Sequence, residues 1–211
     1  MLVERLTQQL GKPTQGLWGW LVTRFLKKKN KLLEVNAVKL CDIQPENVVL
    51  EVGFGPGLGL QEAARCLTHP RGKLYGLDYS DYMYNVASRR LQADIQTGKV
   101  TLFLGSVEHI PLEDNVVDRV FHCNCYYFWP DLRAGSKEIY RVMKPGGLMV
   151  TTLNLEALKK IVAAGLLKHT QWPPEPYMAV LHDTGFVDVR LEDKQDKGIS
   201  FQAIFATANK P

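Results

Sequence analysis

The feature that most constrains this 211-residue chain is a short apolar segment that runs into a cluster of glycines. Residues 47–52 form this mostly apolar run, and glycine then stands at positions 53, 55, 57 and 59, before a helical pattern over residues 61–67. Glycines at alternate positions let the backbone turn tightly and approach a ligand closely. The segment therefore predicts a strand, a glycine loop and a helix, with a nucleotide-like group bound at the loop.

The alternation of strand and helix continues along the chain. Further strands are predicted at residues 73–77, 100–104, 116–123 and 148–153. Helices are predicted over residues 80–91, 131–143, 155–169 and 177–183. Two last strands, at 187–191 and 200–207, are too close together for a crossover helix, which predicts an antiparallel hairpin at the sheet edge. The expected fold is a doubly wound, Rossmann-like α/β fold with a mostly parallel seven-stranded sheet.

The N-terminal segment differs from the rest in charge. Residues 1–45 hold eight Lys and Arg against three Asp and Glu, whereas residues 46–211 hold 18 against 19. Apolar residues at helical spacing over residues 16–41 predict one broken helix or two. We expect residues 1–45 to form a helical lid over the ligand site of a domain spanning 46–211, or else to pack on the flank of its sheet. The basic run Lys27–Lys31 is either a solvated helix face or a patch that attracts anions.

Length and composition narrow the protein class. A chain of this size fits one packed domain, and no stretch approaches the roughly 20 apolar residues of a membrane helix. Glu4 and Arg5 stand where a signal peptide would have its apolar run. Four cysteines are too few for a disulfide framework. We therefore expect a cytoplasmic protein with free thiols and no membrane span.

Two residues other than the glycines, Leu58 and Asp78, narrow the class of ligand expected at the loop. The loop lacks the Lys followed by Ser or Thr of a phosphate-binding Walker loop, and the last glycine of the dinucleotide fingerprint would fall at Leu58. Asp78 ends the second predicted strand, where a carboxylate can accept hydrogen bonds from both ribose hydroxyls, or merely cap the next helix.

Five ordered segments carry a family resemblance: Val49–Gly57, Gly76–Ser80, Gly105–Leu112, Asp114–Asp118 and Arg141–Gly147. They resemble the motifs of class I S-adenosylmethionine-dependent methyltransferases, in the small-molecule branch of UbiE-like and arsenite-methyltransferase-like enzymes. The resemblance covers Asn47 to about Asn209. It implies methyl transfer from S-adenosyl-L-methionine to a small-molecule acceptor, with release of S-adenosyl-L-homocysteine.

The resemblance also implies a set of cofactor-binding residues. They are Glu51, Gly53, Phe54, Gly55, Gly57, Asp78, Tyr79, Ser80, Met83, Ser106, Val107, Glu108, Asn124 and Cys125. Relatives usually carry aspartate, which binds the adenine amino group, at the position of Ser106. Either this serine or Glu108 is expected to take over that role.

The densest cluster of unusual side chains, residues 122–129, follows the fourth predicted strand. Asn124, Tyr126 and Tyr127 are the candidates for catalysis. Asn124 could contact the amino-acid portion of the cofactor, and the tyrosines could line the acceptor pocket, since aromatic rings attract a cationic methyl donor. Phe128 and Trp129 either join them in the acceptor pocket or pack in the core. No acid and base pair is evident, but a sulfonium is already an activated leaving group, so the protein must mainly align the acceptor and exclude water.

Other residues around the acceptor are weaker candidates. Four aromatic residues either line an apolar pocket or are buried for stability: Trp18, Trp20, Trp172 and Tyr177. Cys123 and Cys125 could bind a thiophilic ligand, although buried cysteines ordinarily behave as small apolar residues, and no metal is expected.

Three rival functions remain at the level of the sequence. The first is a protein or nucleic-acid methyltransferase, which the basic segment favours. The others are a nicotinamide-dependent oxidoreductase and a non-catalytic module that binds S-adenosylmethionine. Nucleic acid is the less expected partner.

Overall fold

The protein, seen in a computed structural model, is described for residues 12, 14, 30–167 and 170–210. Predictions that concern Trp18, Trp20 and Lys27–Lys29 lie outside these residues. The elements in chain order are α1 (residues 30–40), β1 (Val48–Val52), α2 (Leu58–Cys66), β2 (Lys73–Asp78), α3 (Asp81–Arg90), α4 (Gln92–Gln96), β3 (Val100–Leu104), β4 (Val117–Cys123), a 3-10 turn (Tyr126–Phe128), α5 (Leu132–Val142), β5 (Met143–Leu153), α6 (Leu155–Ala163), α7 (Pro174–Thr184), β6 (Phe186–Asp196) and β7 (Ile199–Ala208).

The strands form one seven-stranded sheet in the order β3-β2-β1-β4-β5-β7-β6. Strands β1 to β5 pair in parallel, and β7 runs antiparallel between β5 and β6. This confirms the predicted fold and the hairpin at the edge. The strand order reverses between β1 and β4, and in such sheets the crevice at the carboxyl ends of the two strands is where ligands bind.

The terminal hairpin is longer than the sequence predicts. Pairing continues to Asp196 and Ile199, so that only Lys197 and Gly198 form the turn, with φ angles of 51° and 75°. Two positive φ angles match the right-handed twist of a two-residue hairpin. The strand pattern is hidden because β6 is an edge strand, and its second half reads Glu-Asp-Lys-Gln-Asp, with none of the residues typical of strands.

Helices cover both faces of the sheet, and this produces two buried clusters. Helices α5 and α7 pack on one face with Ile139 and Tyr177, whereas α1, α2 and α3 pack on the other. Ala37 of α1, and Cys41 directly after it, are fully buried against that second face. The described part of the N-terminal segment therefore contributes to the core of the sheet.

The predicted helix over residues 155–169 is wrong in its extent. Helix α6 ends at Ala163, and Gly165 and Leu167 then take positive φ angles of 88° and 57°. A left-handed glycine ends a helix readily, because it has no Cβ to clash with the preceding turn. The chain after α6 consequently bends back over the sheet, where Leu167 is buried.

Candidate active site

A cavity of about 810 Å³ opens at the carboxyl ends of β1, β2 and β4. We call one side of it the floor, which consists of residues at the ends of these strands and of β3 and in the loops that follow them: residues 53, 55, 56, 78, 79, 105–108, 123–125 and 127–130. Its cover consists of the first turn of α1 (residues 30–34) and of α6 with Leu167. The cavity therefore lies where the strand order reverses, as expected for a ligand site in this fold.

The glycine loop brings bare backbone to the cavity. Gly53 and Gly55 have φ angles of 69° and 49°, in the left-handed region that favours glycine. A Cβ on Gly55 would meet no protein atom within 4 Å, whereas one on Gly53 would lie 2.9 Å from the Cys125 Cβ. Because Gly55 lines the cavity, the space that its missing side chain leaves is open to a ligand.

Asp78 holds this loop in place. Its Oδ2 accepts a hydrogen bond from the Gly55 amide at 2.8 Å, and its Oδ1 accepts one from the Ser80 amide at 2.9 Å. The cap of α3 is supplied by Ser80 itself, whose hydroxyl accepts from the Met83 amide. Burial raises the pKa of Asp78 to about 6, against the lowering effect of these hydrogen bonds. Each carboxylate oxygen retains a lone pair for a ribose hydroxyl.

The exit of β3 presents the residues that replace the family's aspartate. Ser106 Oγ donates to Glu108 Oε2 at 3.1 Å, and the Glu108 amide donates back to Ser106 Oγ at 3.3 Å. Both residues line the cavity. The Ser106 hydroxyl thus orients the Glu108 carboxyl group at the end of β3. The contact of either residue with the adenine amino group stays a prediction.

Asn124, directly after β4, has a strained and incompletely bonded geometry. Its φ is 49°. Its backbone N–H donates to the Thr152 carbonyl at 3.0 Å, and its side-chain Nδ2 donates to Asn30 Oδ1 at 3.2 Å. Its Oδ1 is buried with no hydrogen-bond partner, and the residue lines the cavity. A buried acceptor of this kind is costly unless a ligand pairs with it.

The two neighbouring tyrosines have different positions. Tyr127 lines the cavity, whereas Tyr126 is fully buried, stacks on Tyr177 at 4.5 Å and donates from its hydroxyl to the Trp172 carbonyl. Burial raises the pKa of both phenols, so they remain protonated near neutral pH. The structure therefore places Tyr126 and Tyr177 in the core, with the partly buried Trp172 packed against it, and none of the three lines the cavity.

The predicted cofactor residues divide into two groups. Ten of them line the cavity: Gly53, Gly55, Asp78, Tyr79, Met83, Ser106, Val107, Glu108, Asn124 and Cys125. The other four, Glu51, Phe54, Gly57 and Ser80, support the floor from behind. For example, a Cβ on Gly57 would lie 3.0 Å from Ala87 of α3, and Phe54 packs against Gly76. Direct cofactor contacts stay predictions for both groups.

The part of the cavity lining that comes from α6, Leu167 and residues 128–130 is mostly apolar. Phe128 and Trp129 belong to it and also pack against the core, so both predicted roles apply to them. Three aliphatic side chains face them from the cover: Leu158, Ile161 and Leu167. Lys160 also lines the cavity.

Glu34 of α1 is the cavity residue that sequence reasoning missed. It is only 4% exposed and it lines the cavity, and burial raises its pKa to about 8. Nothing in the sequence signals this role, because a single glutamate in an amphipathic helix ordinarily faces solvent. The helix is held in place by the Thr152 hydroxyl, which donates to the Leu33 carbonyl at 3.1 Å.

The cysteines show no metal-binding arrangement. All four lie within the described residues, and their thiols are free. Cys123 and Cys125 both line the cavity, and burial raises the pKa of each thiol. Within the described ranges, no group of three or more His, Cys, Asp and Glu could hold a metal ion.

Comparison with known proteins identifies the family. The model of a methyltransferase domain matches residues 50–151. The Bacillus subtilis uncharacterized methyltransferase YdaC is 31% identical over 187 residues, which cover 89% of this chain and 96% of that protein. This chain belongs to the class I S-adenosylmethionine-dependent methyltransferases.

Other similar proteins match this methyltransferase over a shorter stretch or only in fold. The demethylmenaquinone methyltransferase of Symbiobacterium thermophilum is 36% identical over 117 residues, 55% of this chain and 45% of that protein, so the match spans about half of the relative. Haemonchus contortus phosphoethanolamine N-methyltransferase 2, solved with S-adenosyl-L-methionine, superposes with a TM-score of 0.74 at 17% identity, over 97% of this chain and 60% of that one. The second likeness shows the fold.

The residues of the methyltransferase fit its cofactor. Gly55 leaves a cradle that a Cβ would fill, and Asn124 Oδ1 is an orphaned acceptor. S-adenosylmethionine, when bound, supplies a methyl group activated by a sulfonium. The floor would supply polar contacts to it, and the cover would shield the reacting atoms from water. Among the described helices, none has the length and apolarity that a bilayer crossing requires.

Proposed function

We propose that this methyltransferase acts on a small, largely apolar molecule that binds in the half of the cavity beneath α6. The observation that carries the proposal is the chemical division of one cavity. Asp78, Ser106 and Asn124 contribute hydrogen-bonding groups to the lining, whereas α6 and residues 128–130 contribute mostly apolar side chains such as Trp129 and Ile161. A cofactor with many polar atoms suits the first set of residues, and an apolar acceptor suits the second.

The names of relatives support the same acceptor class. The demethylmenaquinone methyltransferase of Symbiobacterium thermophilum is named for a quinone acceptor. A protein or nucleic-acid acceptor is the second reading, and it rests on the basic segment Lys27–Lys31. Only Lys31 of its lysines lies in the described part of the chain, so the apolar wall is the stronger argument.

The catalytic roles that we propose require no strong base. The raised pKa of the buried Tyr127 phenol keeps it a hydrogen-bond donor, which suits orientation of an acceptor and not removal of its proton. Asn124 is proposed to hold the amino-acid portion of the cofactor. Alignment of the acceptor and exclusion of water then account for most of the rate acceleration.

The N-terminal segment is proposed to act as a cover. Asn30, Leu33 and Glu34 line the cavity, and Asn36 Nδ2 donates to Asp196 Oδ2 of β6 at 2.9 Å, which ties α1 to the hairpin. The other end of α1 packs on the sheet, so the helix combines both predicted roles. We also propose a cytoplasmic location, in which its four free cysteines stay reduced.

The test compares acceptor turnover with cofactor affinity. Formation of S-adenosylhomocysteine would be followed with a panel of quinols, phenols and amines, and with tRNA and histones as macromolecular comparators. Ile161→Lys places a charge in the apolar half and should lower turnover at least about tenfold, because an unpaired charge there is costly. The affinity for S-adenosylhomocysteine should change less than about twofold, since the polar half is untouched.

Lys159→Gln is the matched control, because Lys159 lies on the same helix but does not line the cavity. Turnover with the macromolecules alone, or unchanged small-molecule turnover by Ile161→Lys, would contradict the proposed acceptor.

A further inference from the structure

Lys160 of α6 is the only basic residue that lines the cavity within the described part of the chain. The charged residues that the other elements contribute to the lining are acids, namely Glu34, Asp78 and Glu108. The single cationic side chain of the cavity therefore comes from α6, an element that otherwise gives the lining mostly apolar residues.

The ion pair of α6 leaves Lys160 out. Glu156 stands four residues before Lys160, the spacing at which a glutamate and a lysine pair best on a helix. Its Oε1 atom instead accepts a hydrogen bond from Lys159 Nζ at 3.4 Å. In the described ranges, no carboxylate forms an ion pair with Lys160. The Lys160 ammonium is thus available to a charged group that enters the cavity.

The surroundings of Lys160 on the helix are apolar. Ala157, Leu158 and Ile161 also line the cavity, and residues three or four apart lie on the same side of a helix. Lys160 therefore lies at the edge of the apolar stripe that α6 turns towards the cavity. Its side chain is exposed, so its methylenes can cover apolar surface while its ammonium stays in contact with water. The charge consequently lies at the opening of the cavity.

We propose that Lys160 binds a carboxylate of the methyl acceptor, so that the substrate is a small amphipathic acid whose apolar body lies against residues such as Ile161 and Trp129. The proposal rests on the proposed function and adds a charged group to its largely apolar acceptor. The cationic methyl donor and the Lys160 ammonium repel each other, so the methyl-accepting atom belongs at the other end of the acceptor. Lys160 is thus a specificity-determining residue.

A carboxylate suits this site better than a phosphate. Phosphate groups carry up to two charges and are typically held by several donors, such as arginine forks or the amides of a helix N-terminus. Of the described residues, no arginine lines the cavity. One ammonium matches one carboxylate in charge and binds it as a point charge.

The experiment compares acids with their uncharged primary amides, which have nearly the same size and shape. The acids are 4-hydroxybenzoate, 6-hydroxy-2-naphthoate and decanoate, which differ in the extent of their apolar part. Dissociation constants are measured by titration calorimetry with S-adenosylhomocysteine at saturation, so that no turnover is needed. For at least one pair, the wild type should bind the acid about two- to fivefold more tightly than the amide, the scale of an exposed ion pair. Added salt should reduce this preference, because it screens exposed charges.

Two variants assign the preference to Lys160. Lys160→Gln should bind acid and amide equally, and Lys160→Glu should prefer the amide, because it presents a like charge to the acid. Both variants should bind S-adenosylhomocysteine within about twofold of the wild type, since the floor is untouched. Lys159→Gln is the matched control, because Lys159 lies on the same helix, pairs with Glu156 and does not line the cavity. It should keep the preference of the wild type.

The outcomes separate the anion site from the proposed function. Equal affinity of the wild type for the acid and the amide of every pair would overturn the anion site and leave the apolar acceptor standing. An acid preference that persists in Lys160→Gln would belong to another group and would also overturn it. A loss of more than about fivefold in S-adenosylhomocysteine affinity in Lys160→Gln would show that Lys160 holds the carboxylate of the cofactor instead. Failure of all six compounds to bind would overturn the apolar acceptor itself, and the inference with it.

Discussion

The floor and the cover of the cavity are built in different ways. The floor depends on backbone geometry: Gly53 and Gly55 take left-handed conformations, and Asp78 fastens the loop by a hydrogen bond to the Gly55 amide. The cover depends on side chains, since Leu158 and Ile161 of α6 present apolar surface to the cavity. Backbone geometry tolerates few substitutions, whereas an apolar wall can be rebuilt with other residues of similar size. Under the proposed function, the protein thus pairs a demanding cofactor site with an adaptable acceptor site.

The largest expected effect comes from a side chain on the floor. Gly55→Val should abolish detectable binding of S-adenosylhomocysteine, because the new side chain would occupy the space open to the ligand. The protein should remain folded, since a left-handed valine costs only about 1 to 2 kcal/mol against a typical stability of about 5 to 15 kcal/mol. Calorimetry and a circular dichroism melt measure the two properties.

Gly59→Ala provides the contrast within the same loop region. Its Cβ would meet the Glu51 carboxylate and no part of the cavity. It should therefore destabilise the fold by about 1 to 3 kcal/mol, as overpacking does. Wild-type affinity in a folded Gly55→Val protein would show that the floor is not where the ligand binds.

A second effect concerns the anchor of the floor. Asp78→Ala should weaken binding of S-adenosylhomocysteine by about 1.5 to 3 kcal/mol, the scale of a hydrogen bond to a charged group. The substitution removes the acceptor of the Gly55 amide and the proposed acceptor of the ribose hydroxyls. Asp81→Ala, at an exposed position in the first turn of α3, is the control. An unchanged dissociation constant for Asp78→Ala would place the ribose elsewhere.

The contact between cover and floor should respond to pH. The pKa of Glu34, raised by burial to about 8, lies above its unfolded value near 4.5, so its stabilising contribution is lost as pH rises through this range. The pKa of His122, lowered by burial from 6.5 to about 3, makes stability rise with pH, but only up to pH 6.5. Burial raises the pKa of Glu51 in the same direction, so between pH 6.5 and 8 the free energy of unfolding should fall by at least about 1 kcal/mol.

Urea unfolding at several pH values between 6.5 and 8 measures this decline, which Glu34→Gln should flatten. A profile in the variant as steep as that of the wild type would exclude Glu34 as its cause.

The smallest effect should come from the tether of the cover. Thr152→Val keeps the size of the side chain but removes its hydrogen bond to the Leu33 carbonyl. We expect a loss of about 0.5 to 1.5 kcal/mol in the free energy of unfolding, with the affinity for S-adenosylhomocysteine nearly unchanged. Thr97→Val, at an exposed hydrogen bond, should cost less. A large loss of cofactor affinity in Thr152→Val would show that the cover also shapes the floor.

Much of the fold can be predicted from the sequence because most strands and helices are encoded by local patterns of residues. The apolar runs at Val48–Val52 and Val100–Leu104 are strands, and Ser80 caps α3 as predicted. The sequence pattern does not predict the second half of the edge strand β6, since solvent-exposed charged residues carry no apolar pattern. The sequence pattern predicts a helix longer than α6, because the end of α6 depends on the left-handed Gly165 and not on a change in hydrophobicity.

By itself, the sequence determined the parallel sheet, the glycine loop and the family motifs, because each is encoded by neighbouring residues whose spacing follows the backbone. Only the tertiary structure decided that Tyr127 faces the cavity while Tyr126 is buried, since a 3-10 turn sends adjacent side chains in different directions. It also brought Glu34 beside Glu51. That proximity arises from the packing of α1 against the sheet, and no local pattern records how a helix packs on a distant strand.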